Sequence, residues 1–265
     1  MSEHMIPVTE GGGAPVPAGA RAVSPVPFRR LVAVEARKLV DTRSGLILAA
    51  LLVGLTVESV VARGVVVGPR ALTVLGTAGI GLGTLLPVLG ILTVTAEWTH
   101  HTALTTFALE PRRMRVLAAK CLPPLIAAVA ASLLALLAAV LVTAVVAEVR
   151  HVPATWDISP LVLLGWTGAN VLVVAEGLAL GMLLMNAPAA IVVCLAGPLM
   201  WGIVARLGTA GEVLAGWLDL NATAAPLASA DMTGGDLARL AVSVAFWIAA
   251  PTAAGLTRAV RREVA

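Results

Sequence analysis

Residues 121–147 read CLPPLIAAVAASLLALLAAVLVTAVVA, a run without a single charge that exceeds the ~20 helical residues needed to cross a hydrocarbon layer. Pro123 and Pro124 are expected in its first turn, where a missing N–H is tolerated. Working outward from this run, five further apolar stretches lie near 44–62, 72–95, 161–184, 188–207 and 238–256. Across 265 residues, 59% are hydrophobic and 12% charged, which excludes an ordinary water-soluble globule and, for most of the length, disorder. No Gly-X-Y period or longer self-similarity points to a fibre or a repeat array. The expected fold is all-α: a polytopic membrane protein with six transmembrane helices. Pro188 and Gly197-Pro198 interrupt the fifth run, and only Asn186-Ala187 links it to the fourth, so those two spans read either as a tight hairpin or as a broken pair.

Ahead of the spans, residues 1–27 carry a Gly triplet at 11–13 and prolines at 7, 15, 17, 25 and 27, the composition of a flexible tail. Residues 28–43, FRRLVAVEARKLVDTR, have helical period. Phe28, Leu31, Val32 and Leu39 share one side, with Arg30, Arg37, Lys38 and Asp41 opposite, as in a helix lying on a membrane surface. No cleavable signal peptide is expected, because the first apolar run begins only near Leu46. Residues 44–257 then form the transmembrane domain, and 258–265 a basic tail.

Of 18 Lys and Arg, 13 fall in the amino-terminal segment, the loop between spans two and three and the carboxyl tail, and five on the opposite side. The positive-inside rule therefore places both termini in the cytoplasm. The net charge of +3 is topological, with anionic lipid as counter-charge and no nucleic acid required. The abundance of Ala, Gly, Val and Leu, with 16 arginines against two lysines, suggests a GC-rich coding genome, and the expected location is a bacterial plasma membrane. Cys121 and Cys194 lie beside or within apolar runs, and no disulfide is expected.

The chain has no engine or catalytic centre legible in its motifs. Lys38 and Lys120 each lack the neighbours of a Walker A loop, so this polypeptide is no P-loop ATPase. Glu97, His100 and His101 cluster, but adjacent histidines point about 100° apart on a helix whereas a zinc helix needs them four apart, so no metal is expected. No Gly-x-Ser-x-Gly is present. Within the fourth run Glu176 stands at a cost of about 2.5–3.5 kcal/mol, which eight leucines and four valines offset. Glu176 is a candidate for a polar translocation path or, equally, a packing residue. Asn170 shares that span and is the second candidate for the path, although it lies off the Glu176 face. Glu58 is expected at the outer interface. Gly79 and Gly83, and Gly177 and Gly181, are small-xxx-small pairs suited to close helix approach, and Pro87 should kink the second span.

The stretch EWTHHTALTTFALEPRRMRVLAAK, residues 97–120, joins spans two and three. It reads as a short amphipathic helix over Thr102–Leu109, a proline stop, a basic cluster and a return to the membrane. With Glu97, Thr102, Pro111, Arg113 and Lys120 in this order, and Arg112 and Arg115 adding charge, it resembles the corresponding region of the ABC-2 type permease family. The resemblance extends to the opening helix with Glu35, Arg37 and Lys38, to the six-span count, and to the long loop between spans five and six. This chain has His101 where the family usually has glycine.

The resemblance implies a permease subunit of an ATP-binding cassette exporter, working as a homodimer or with a paired half-permease above separate ATPase subunits. ATP and Mg would then be held by those partners, with no cofactor in this chain. Thr102–Leu109 would be the coupling helix, and Glu35, projecting from the apolar side of its helix, is expected to pair with Arg112, Arg113 or Arg115. The 5–6 loop would place a short helix around VLAGWL in the outer leaflet, with Trp217 at the interface. Two other classes stay in play: a carrier driven by protons through Glu176, for which inverted repeats are not seen, and a membrane-embedded enzyme built on Glu97, His100 and His101 or on Glu176. A non-transporting membrane assembly or immunity protein is a further possibility.

Overall fold

A computed structural model describes residues 27–99 and 113–261. These residues are helical with no β-strand, only an isolated bridge between Arg70 and Thr155. The elements are α1 (Phe28–Asp41), α2 (Arg43–Val67), α3 (Ala71–Thr99), α4 (Arg113–Arg150), α5 (Pro160–Leu184), α6 (Ala187–Val204), α7 (Thr209–Leu218), α8 (Leu220–Ser229), α9 (Gly234–Val244), a π turn (Ala245–Ala249) and α10 (Ala250–Arg261). Six segments are long and apolar enough to span a membrane: α2 to α6 and the run from Gly234 to Arg258. The chain is a multi-pass membrane protein.

The core is built on α3. Its buried side chains Val74, Leu75, Ala78, Leu82 and Leu86 recur at three- and four-residue steps on one broad face, and Ile91 lies further round the helix. That lets α3 pack against α2, α4 and α5 at once. Large apolar side chains on the outer faces, such as Ile47, Leu134 and Leu199, stay exposed, as lipid-facing residues should.

The seam between α3 and α5 is closed by glycine. A Cβ on Gly177 would overlap the Pro87 carbonyl, and one on Gly90 would lie 2.8 Å from the Val174 oxygen. Gly177 and Gly181 thus act as the small pair expected. Gly79 and Gly83 do not: Gly83 meets nothing within 4 Å and Gly79 only the edge of Trp166.

Several boundaries differ from those read in the sequence. The opening helix stops at Asp41, because Thr42 turns extended and its hydroxyl accepts the Gly45 N–H at 3.1 Å, capping α2. The third span begins at Arg113, since RMRVLAAK is made of good helix formers. Pro123 and Pro124 therefore stand inside α4, not in its first turn, and deprive the Ala119 and Lys120 carbonyls of their usual partners. Spans four and five form a hairpin: Met185 is left-handed at φ 50° and Asn186 accepts the Ala189 N–H at 3.0 Å to start α6.

The 5–6 connection holds two helices where one was expected. Asp219 separates them, and its side chain accepts the Asn221 N–H at 3.0 Å. The α7–α8 hairpin folds back into the bundle. At its base a Cβ on Gly165 would overlap the Leu227 carbonyl, midway Thr223 and Ser243 share a 2.6 Å hydrogen bond, and at the tip Trp247 donates to the Leu218 carbonyl at 2.7 Å. Trp247 stands about 20 Å along its helical run from Gly234, at 1.5 Å per residue, so the tip lies beside the middle of the Gly234–Arg258 run. Trp217, one residue before the tip's Leu218, stands near the tip of the hairpin and is partly exposed.

Candidate functional site

Two clusters at different depths bring together the residues singled out in the sequence. The first lies where α1 packs on the start of α4. Leu31, Val32 and Leu39 turn inward while Arg30, Arg37 and Asp41 stay exposed, and between the inward residues Glu35 is only 7% exposed. Its two oxygens are each held by a lysine: Lys38 donates to Oε1 at 2.6 Å, and Lys120, 3% exposed on α4, donates to Oε2 at 3.2 Å. The partner is thus Lys120 in place of the arginines expected. The arginines stand nearer the loop: Arg113 opens α4 and Arg115 lies on its first turn, whereas Lys120 comes one to two turns later, level with Glu35. Arg37 pairs at 3.9 Å with Asp41 on the solvent side.

Glu97 lies in the last turn of α3. Thr102, Pro111 and Arg112, the coupling segment Thr102–Leu109, and His100 and His101 fall outside the described residues. So do residues 1–26. Among the described residues no three of His, Cys, Asp and Glu gather as a metal site.

The second cluster is an open cavity of about 350 Å³ between α3, α5, α6 and the tip of the α7–α8 hairpin. Glu176 reaches it from α5, Thr84 and Pro87 from α3, Cys194 and Pro198 from α6, and Asn221 from α8. Gly79 and Gly83 form part of its wall, which explains why a small-xxx-small pair here faces space. No lysine or arginine lines it. Asp219 lies within electrostatic reach of Glu176. Burial holds the Asp219 carboxyl above its ordinary range, against the backbone N–H groups of Ala222 and Asn221, which favour the charged form.

Asn170, the other residue considered for a path, has a different place. It is buried and donates to Ser132 Oγ on α4 at 3.1 Å, while Ser132 donates to the Ala128 carbonyl. That is a tie between two spans. Glu58 is exposed on α2, more than two turns before the helix end.

Sequence reasoning missed the Lys120 partner, the second hairpin helix and the contribution of Asn221 to the cavity. A carboxylate on an apolar helix face does signal that a cation must come from elsewhere, and Lys120 is one of just two lysines in the chain. Asn221 and Thr84 carry no such signal, since their convergence depends on the hairpin folding back. Compared with protein-family models, curated proteins and solved structures, the chain finds no match.

Proposed function

We propose that this chain is the membrane-spanning subunit of an ATP-driven exporter, similar to the ABC-2 permeases, with hydrolysis on a separate ATPase chain. In this reading the α1 end of the bundle is cytoplasmic, the protein works in a bacterial plasma membrane, and a second permease copy or half-permease completes the path. The observation that carries it is the buried Glu35–Lys120 pair. It fastens an otherwise surface-lying helix to the first turns of the span that follows the basic loop.

A push on residues 97–120 is delivered to both their ends, the last turn of α3 and the first of α4. Through Lys120 it also reaches α1. Since α3 packs on α2, α4 and α5, with glycine interlocking it to α5, a displacement there is felt across the bundle. Such a push shifts an equilibrium only if the ATPase binds one state of the loop better than the other.

The test is to purify the chain from membranes that also contain a Walker-motif ATPase encoded beside it. Co-purification and stimulated ATP hydrolysis are expected, both lost when Arg112 and Arg113 are changed to Glu. Transport by the isolated chain in vesicles without any nucleotide-hydrolysing partner would refute the proposal and favour the proton-driven carrier.

A further inference from the structure

The cavity around Glu176 combines four features that together specify a ligand. It is bounded by membrane-spanning helices and the tip of a hairpin. Much of its wall is apolar or small, with Thr84 and Asn221 as neutral hydrogen-bonding groups. Its one acidic lining group, Glu176, has no hydrogen-bond or ion-pair partner among the described residues, in contrast to Glu35. The other nearby ionisable group, Asp219, has the same sign and makes a second anion there less favourable.

A carboxylate at this depth is expensive unless a counter-charge is supplied. The protein lines the cavity with no lysine or arginine, so the carboxyl is answered either by a proton or by a cationic group that arrives with an occupant and displaces it. An anionic ligand would meet repulsion. A hydrated inorganic cation would have to give up water for a largely apolar wall. A cation carried on an apolar body satisfies both the charge and the lining, and about 350 Å³ falls in the range of small-molecule pockets.

We propose that this cavity is a binding site for lipophilic monocations, with Glu176 as the charge-recognising residue. The inference rests on the exporter reading only for what the binding serves: it names the substrate class of that path. Binding itself requires no ATPase.

The experiment uses the full chain, purified in nanodiscs without an ATPase, and tetraphenylphosphonium as probe. Saturable binding is expected, with tetraphenylborate, which has a similar shape and the opposite charge, failing to compete. Glu176→Gln should weaken binding about tenfold or more, as expected when one member of a desolvated charge pair is removed. Gly83→Leu, where the added side chain enters open space, should abolish binding with the carboxylate intact. Glu212→Gln, on α7 and outside the cavity lining, should leave binding unchanged.

Equal competition by tetraphenylborate would show a neutral site and overturn the proposal. Displacement of the probe by excess sodium or potassium would do the same in favour of an inorganic cation. So would full binding by both Glu176→Gln and Gly83→Leu. Should the probe not bind while the ATPase still co-purifies, this inference fails and the exporter reading stands. Should it bind while no ATPase couples, the reverse holds.

Discussion

Two carboxylates in this molecule are placed in opposite ways. Glu35 is nearly sealed from solvent at the α1–α4 contact, with one lysine on each oxygen. Glu176 stands on a spanning helix at the wall of a cavity, with no cation lining it. The first is a completed electrostatic unit and contributes to holding α1 in place. The second leaves its charge to be answered from outside the chain. A buried charge that is paired serves structure, and one that opens on a cavity is available for binding.

The contrast is broken most severely at Lys120. Changing Lys120→Met keeps an unbranched side chain of similar length but leaves Glu35 buried with only the half-exposed Lys38. Loss of one member of a buried pair should cost about 3 kcal/mol, read as a lower midpoint when the purified protein is unfolded by denaturant in detergent. An unchanged midpoint would mean that Glu35 is solvated in the membrane-bound protein.

Next in size is Glu35→Gln. The amide can still accept from one lysine, so the loss should be about 1–2 kcal/mol, near that of a hydrogen bond to a charged group. Proteolysis between α1 and α2, around Thr42, should become faster in this variant, because α1 would be released from α4 more often.

Glu176→Gln should act in the other direction. With no partner left behind and a smaller desolvation cost, the same unfolding assay should show a gain of roughly 1 kcal/mol. This sharpens the comparison, since one chemical change then has opposite signs at two sites. A loss comparable to that of Glu35→Gln would show that Glu176 is a structural carboxylate with a partner of its own.

What could be read from the sequence divides along the same line as these two sites. Lateral composition and period decide whether a segment spans, so six runs and an amphipathic opening helix were legible, and α5–α6 needed only Asn186 as a cap to become a hairpin. Glu35 was legible as a carboxylate on an apolar face, but its partner was not, because Lys120 meets it across 85 positions of chain. Local helix signals also outran the hydropathy pattern: Arg113, Arg115 and Lys120 do not stop the helix of the third span, because they favour helix about as strongly as the Met, Leu and Ala between them. The cavity was illegible for a stronger reason. Gly79 and Gly83 have the same spacing as Gly177 and Gly181, yet one pair meets open space and the other a neighbouring backbone. Spacing specifies which residues share a helix face and says nothing of what that face meets. Only the return of the α7–α8 hairpin, with Trp247 bonded to the Leu218 carbonyl at its tip, puts Asn221 beside Glu176.

The smallest effect is expected at Lys38, although its 2.6 Å contact with Glu35 is shorter than the 3.2 Å contact from Lys120. Distance does not rank the two. The Lys38 side chain is 48% exposed, so water and salt screen its charge and can replace it, whereas Lys120 is enclosed with Glu35. Lys38→Met should therefore shift the unfolding free energy by no more than about 0.5 kcal/mol in the wild-type background. In the Lys120→Met background the same change should cost distinctly more, since Lys38 is then what remains to answer the buried carboxylate. The non-additivity of that cycle measures how far the two lysines share one charge. Additive losses would mean that each lysine stabilises the protein through contacts apart from Glu35, and the paired half of the comparison would lose its basis.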